Sequence, residues 1–65
     1  MRQWENVRIW IINGVAHTVW ASDDGRYSII PDRDGQPVYP TDGGWSNKGI
    51  AYQIASEEAC TKVEG

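Results

Sequence analysis

The chain has 65 residues, of which 40% are hydrophobic and 23% are charged, and its formal net charge is −3 at pH 7. This composition is close to that of globular proteins and too apolar for a disordered tail. A chain of this length supports one small core, so we expect a single domain over residues 1–65. The acidic balance argues against nucleic acid as the partner.

The hydropathy pattern and the cysteine content indicate the cellular compartment of the protein. No apolar stretch approaches the roughly 18 residues that a membrane span needs. The first residues lack the apolar centre of a signal peptide, so we expect no leader and no membrane association. Cys60 is the only cysteine, so it can form no internal disulfide, and an oxidising compartment would bring no advantage. We therefore expect a cytoplasmic protein.

Three turn signals divide the first part of the chain at regular spacing: Asn13-Gly14, Asp24-Gly25 and Asp34-Gly35. Each pair lies between residues of high strand propensity and is typical of a type I′ hairpin turn. The pattern predicts an antiparallel four-stranded β-meander, with strands at residues 7–12, 15–21, 26–30 and 36–39. Nearby prolines place the fourth strand at an edge and make it short or irregular.

The last part of the chain has a helical pattern. Apolar residues recur in steps of three and four over residues 50–59, and Ser46 or Asn47 can cap the start of a helix. A glycine in the first turn and two glutamates near the C-terminal end favour an alternative, in which residues 49–55 form a fifth strand and a short helix begins at Ser56. We favour the long helix, which gives an α+β fold with one C-terminal helix packed on one face of the sheet.

Two-residue loops fix which strand residues pair, and so which side chains share a face. The first face collects Val7, Ile9, Ile11, Trp20, Tyr27 and Ile29. We expect it to form the core and to receive the helix. The second face collects Arg8, Trp10, Ile12, Val15, His17, Val19, Arg26, Ser28 and Ile30, with Tyr39 joining if the third hairpin keeps register.

One helix covers only one face of so small a sheet, so the second face should meet water, a partner or a second copy. The structural alternative is that the chain's end, or Trp45 and the proline-rich segment, cover it. Trp, Tyr and Arg are the residue types most enriched at interface hot spots, and this face carries all three. The expected partner-binding residues are Arg8, Trp10, Ile12, His17, Val19, Arg26, Ile30 and Tyr39.

These residues predict a non-enzymatic protein-binding module, acting as an inhibitor or adaptor of a larger protein. Two alternatives stay open. The same face can be buried in a homodimer, which would add to a marginal core. Its aromatic side chains can also stack on single-stranded nucleic acid, with the arginines at positions 2, 8, 26 and 33 supplying positive charge.

No pattern in the sequence indicates an enzyme, a cofactor or a metal site. No motif links His17, the only histidine, to a nucleophile. One cysteine and one histidine cannot supply a tetrahedral zinc shell. The run Asp32–Gly35 lacks the spacing of a calcium-binding EF-hand loop, and Gly43-Gly44 lacks the further glycines of the phosphate-binding fingerprints.

A meander followed by a helix, with Asp-Gly turns and a serine at the helix start, resembles many small bacterial and phage proteins in architecture and size. The resemblance covers the whole chain. It implies a mobile-element protein that binds and blocks a larger host protein, for example a defence complex.

Overall fold

A computed structural model describes residues 2–41 and 43–64, with side chains as far as Ala59. The elements are the strands β1 (Trp4–Ile12), β2 (Val15–Ser22) and β3 (Tyr27–Pro31) and the helix α1 (Lys48–Glu64). The strands form one antiparallel sheet in the order β1-β2-β3. The predicted α+β class, with an antiparallel sheet and one C-terminal helix, is confirmed.

The first hairpin follows the prediction. Asn13 and Gly14 have φ values of +52° and +79°, and a type I′ turn requires positive φ at both central residues. Ile12 therefore pairs with Val15, and the predicted register holds as far as the pair of Arg8 with Val19. Beyond that pair a β-bulge between residues 6 and 8 shifts the register by one residue.

The second hairpin loop is one residue longer than predicted. The backbone N–H of Ser22 donates to the carbonyl of Arg26 at 2.8 Å, so the loop contains three residues, Asp23–Gly25. Gly25 has a φ of +86°, whereas the residue before it does not have positive φ. This is the pattern of a three-residue loop that ends in a left-handed glycine, and it excludes a type I′ turn.

The longer loop moves β3 by one position against β2. Ile29 pairs with Val19 and Tyr27 with Ala21, where the two-residue loop predicted pairs of Ile29 with Trp20 and of Tyr27 with Ser22. Because side chains alternate along a strand, a one-residue shift carries every β3 side chain to the opposite face. Ile29 and Tyr27 thereby leave the first face and join the second.

The fourth strand is not seen in the described residues, so that part of the prediction is not confirmed. Around Asp34-Gly35 the chain forms only an isolated bridge between Arg33 and Gln36. Pro37 and Pro40 have no N–H to extend a ladder. The segment of residues 36–41 instead crosses the first face of the sheet, where the Tyr39 ring meets the Trp20 ring edge-on at 5.4 Å.

The helix α1 is continuous, so the alternative of a fifth strand at residues 49–55 is wrong. Asn47 caps it as predicted, because its Oδ1 accepts hydrogen bonds from the N–H groups of Gly49 at 2.8 Å and Ile50 at 3.2 Å. The buried side of the helix consists of Ala51, Ala55 and Ala59. Since these small residues recur every four positions, they form one face along which the helix can approach the sheet closely.

The helix packs on the second face and not on the first, which reverses the predicted location of the core. The core comprises Ile12, Val19 and Ile29 from the sheet and the three buried alanines of α1, with Trp10 and Tyr27 packed against them. The prediction was wrong because it assumed a two-residue second loop. The actual register places Ile29 and Tyr27 opposite the helix, and the aliphatic side chains of β1 on the first face remain uncovered.

Candidate functional site

Three of the predicted partner-binding residues are enclosed between sheet and helix. Ile12 is 3% exposed, His17 is 1% exposed and Val19 has no exposed surface. A partner could reach them only if α1 left the sheet. The expectation that the second face is uncovered is therefore wrong, and these three side chains are core residues.

His17 is a buried residue whose ring contacts the backbone. Its Nδ1 lies 2.8 Å from the carbonyl oxygen of Val15, and its side chain is buried. The side chain of Cys60, the only cysteine, lies outside the described residues. Within the described part of the chain, no group of three or more His, Cys, Asp or Glu side chains is placed to hold a metal ion.

Arg26 is engaged within the protein. Its Nε donates to the carbonyl of Gly43 and its Nη2 donates to the carbonyl of Gly44 at 2.9 Å. The guanidinium therefore holds the loop that leads into α1. Ile30 pairs with Thr18 and so lies on the first face, where its side chain is half-buried.

Tyr39 also lies on the first face, although half of its surface is exposed. Its hydroxyl oxygen accepts a hydrogen bond from the N–H of Trp4 at 3.0 Å, and its ring packs on Trp20. These two contacts tie the segment of residues 36–41 to the start of β1. Tyr39 thus anchors a covering segment and is separated from the second face by the sheet.

Arg8 and Trp10 are the predicted site residues that remain accessible on the second face. The Trp10 ring packs edge-on against the Tyr52 ring of α1, with centroids 5.1 Å apart and planes at 75°. The Arg8 guanidinium lies 5.9 Å from the centroid of the Trp10 ring. The structure therefore brings these two residues together beside the helix. It places Ile12, His17 and Val19 in the core, Ile30 and Tyr39 on the opposite face, and Arg26 at the loop that leads into α1.

The most exposed aliphatic side chains of the sheet are Val7, Ile9 and Ile11 of β1, which we call the β1 patch. They are 51%, 61% and 67% exposed. Val7 and Ile9 line a shallow groove together with Thr18 and Pro37. The sequence predicts that these residues lie in the core, and the exposed patch is therefore a finding of the structure. The available signal was their alternation along an edge strand, but the same alternation also describes a buried face.

The β1 patch stays open because the segment of residues 36–41 covers the neighbouring part of the face and borders the patch only at Pro37. The segment of residues 36–41 lies over Trp20, and α1 lies on the opposite side of the sheet. The two sheet edges also differ. On the β3 side, Tyr27 and Trp45 exchange two backbone hydrogen bonds of 2.6 and 2.7 Å, whereas β1 pairs only with β2 among the described residues.

The charged side chains near the second loop stabilise that loop. Arg2 Nε lies 2.8 Å from a carboxylate oxygen of Asp24, and the Ser22 hydroxyl also donates to this carboxylate. The hydrogen bonds from Ser22 and from Arg2 lower the pKa of Asp24 below its usual value. Of the four arginines predicted to supply positive charge, Arg2 and Arg26 therefore both make contacts within the protein.

Among the helices that the structure describes, none is long and apolar enough to cross a membrane. Comparison with protein-family models, with curated proteins and with solved structures found no match to this chain.

Proposed function

We propose that the chain is a non-enzymatic protein-binding module, an inhibitor or adaptor that binds a larger protein through the β1 patch. The observation that supports this proposal is the exposure of Val7, Ile9 and Ile11, each more than half exposed on one face of an edge strand. Exposed aliphatic rows of this kind on a small folded chain mark interaction surfaces.

The position of the patch is consistent with a binding surface that carries no catalytic group. It lies on the sheet face opposite α1, so a partner can cover it while the core of Ile12, Val19 and Ile29 stays packed. His17 is enclosed and hydrogen-bonded to backbone, so it does not face this surface. Blocking a host defence complex, as the resemblance to small phage proteins implies, would be one use of such a module.

The experiment is affinity capture with the tagged chain as bait, from a lysate of the organism that makes the protein or of its host, read by mass spectrometry. The test variant is Ile9→Glu, which places a charge in the centre of the patch. The matched control is Ile50→Glu, because Ile50 is also an exposed isoleucine, at 48%, and lies on α1. Trp10 is a poorer probe because its ring packs against α1.

We expect the wild-type chain and Ile50→Glu to capture the same protein and Ile9→Glu to lose it. Both substitutions are at exposed positions and should change the free energy of unfolding by less than about 1 kcal/mol. Thermal melts of both variants check this. Capture that persists in Ile9→Glu, or capture of nothing by the wild-type chain, would contradict the proposal.

A further inference from the structure

The outer edge of β1 lies beside the β1 patch and pairs with no other strand in the described ranges 2–41 and 43–64. From Val7 to Ile12 this strand contains no proline, and Arg8 is its only charged residue. The unpaired N–H and C=O groups of such an edge are a template for one more strand. Proteins usually protect an edge with proline, charge or a covering segment. Trp45 protects the β3 edge and Tyr39 contacts the start of β1 at Trp4, but from Val7 to Ile12 no described segment pairs with the outer edge.

We propose that a second copy of this chain occupies the edge, and that the two β1 strands pair antiparallel about a two-fold axis through Ile9. The result is a continuous six-stranded sheet. The inference rests on the proposed function in one respect, because both require the β1 patch to be accessible. It adds the identity of one occupant of the β1 edge, which extends the row of aliphatic side chains beside the patch when no larger partner is bound.

The register follows from the positions of the side chains. When Ile9 lies opposite Ile9 of the second copy, Val7 of each copy lies opposite Ile11 of the other. Six aliphatic side chains then form one row on one face, and cross-strand aliphatic pairs stabilise a sheet. On the other face, Arg8 of each copy lies opposite Trp10 of the other copy. Arg8 already lies 5.9 Å from the ring centroid of its own Trp10, so it would contact two indole rings.

Registers in which the two-fold axis passes through a residue other than Ile9 are less favourable. An axis through Arg8 places two guanidinium groups directly opposite each other, and like charges in that position are destabilising. An axis through Trp10 places Val7 opposite Asn13 in the turn. An axis through Val7 coincides with the bulge between Asn6 and Arg8, where the ladder is disrupted.

The pairing is short, because the bulge ends it on one side and the Asn13-Gly14 turn ends it on the other. A short ladder buries less surface than a standard stable interface, so the dimer should be reversible and should form as the concentration rises. Sedimentation equilibrium from micromolar to millimolar concentration measures this. The mass of the wild-type chain should rise from 7.3 kDa towards twice that value.

A charge pair at position 9 tests the axis. Ile9→Glu alone and Ile9→Lys alone should each remain monomeric at every concentration, because each places like charges on the two-fold axis. An equimolar mixture should form a dimer again, since Glu and Lys then lie opposite each other. The control Ile50→Glu should dimerise like the wild type. Circular dichroism spectra confirm that each variant is folded.

Cysteine cross-linking tests the register independently of charge. In a Cys60→Ser background, Ile9→Cys places two thiols on opposite strands with Cα atoms about 5 Å apart, which a disulfide spans. Ile11→Cys is the matched control, because Ile11 lies opposite Val7 and the two thiols would be about 13 Å apart along the strands. With oxidised glutathione, the first variant should give a covalent dimer and the second should not.

A wild-type chain that stays at 7.3 kDa up to millimolar concentration would overturn the inference. Equal cross-linking of the two cysteine variants, or a monomeric mixture of the Glu and Lys variants, would overturn the register. The proposed function fails separately: a monomeric chain that still captures a larger protein through Ile9 refutes only the dimer. A dimer that captures no other protein refutes only the proposal of a larger partner.

Discussion

Gly44 is the position where one added methyl group tests the packing of the loop that leads into α1. It has a φ of +63°, and a Cβ at this position would lie 2.6 Å from Cη2 of Trp4 and 2.6 Å from the carbonyl oxygen of Tyr27. That carbonyl accepts the N–H of Trp45 at 2.7 Å. The loop therefore cannot move away without loss of the bridge that protects the β3 edge.

The cost of Gly44→Ala has two parts. The left-handed conformation costs an alanine about 1–2 kcal/mol, and the enforced contacts with Trp4 and Tyr27 cost about 1–3 kcal/mol more, as overpacking does. A loss of about 3 kcal/mol is most of the ~3–5 kcal/mol that a core of this size provides. At ~4–8 °C per kcal/mol, the melting temperature should fall by roughly 15 °C.

Urea unfolding followed by tryptophan fluorescence measures the difference, with Gly35→Ala as the matched control. Gly35 has a φ of +77°, but a Cβ there meets no atom within 4 Å. For Gly35→Ala, the free energy of unfolding should fall only by the cost of the left-handed conformation, about 1–2 kcal/mol. If the two variants lose equal stability, the contacts of Gly44 with Trp4 and Tyr27 are not rigid and our reasoning is refuted.

Three further predictions concern the helix and the second loop. Asn47→Ala should lower the free energy of unfolding by about 1 kcal/mol, because the cap of α1 is lost. Asn47→Asp keeps a capping oxygen and should retain most of the wild-type stability in the same urea assay. Ala55→Leu should cost about 1–3 kcal/mol, because Ala55 is 3% exposed against the sheet, while Gln53→Leu on the exposed side should cost little. The carboxylate of Asp24 has a lowered pKa, so its stabilising contribution is present above the unfolded-state pKa and is lost as the pH falls through the folded-state value. Acid titration should therefore destabilise the wild-type chain more than Asp24→Asn, and parallel profiles of the two proteins would contradict this.

The sequence predicted those features of the fold that are set by the residue types within one short segment. The Asn13-Gly14 pair specifies a type I′ turn by its own backbone preferences, and the register of the first hairpin follows from it as far as Arg8. Asn47 caps the helix through bonds to residues two and three positions ahead. Both depend only on neighbours in sequence, so tertiary contacts did not alter them.

The candidate site could not be predicted because it depends on which face of the sheet the helix covers. Both faces carry large apolar residues on β1, with Ile9 and Ile11 on one and Trp10 and Ile12 on the other. Their alternation therefore shows that there are two faces without showing which is buried. One extra loop residue at Asp23–Gly25 moved Ile29 beneath the helix, and it thereby determined the exposed face.

The sequence by itself thus determined the α+β class, the first turn, the helix and its cap, since each results from propensities within a few residues. Only the tertiary structure decided the register of β3, the loss of the fourth strand and the side on which α1 packs. The register of β3 follows from the loop that the folded chain forms at Asp23–Gly25. The covering segment and the helix position depend on how Trp20, Tyr39 and the buried alanines of α1 pack. Packing between distant segments has no local signature, and this is why the β1 patch became apparent only in the folded chain.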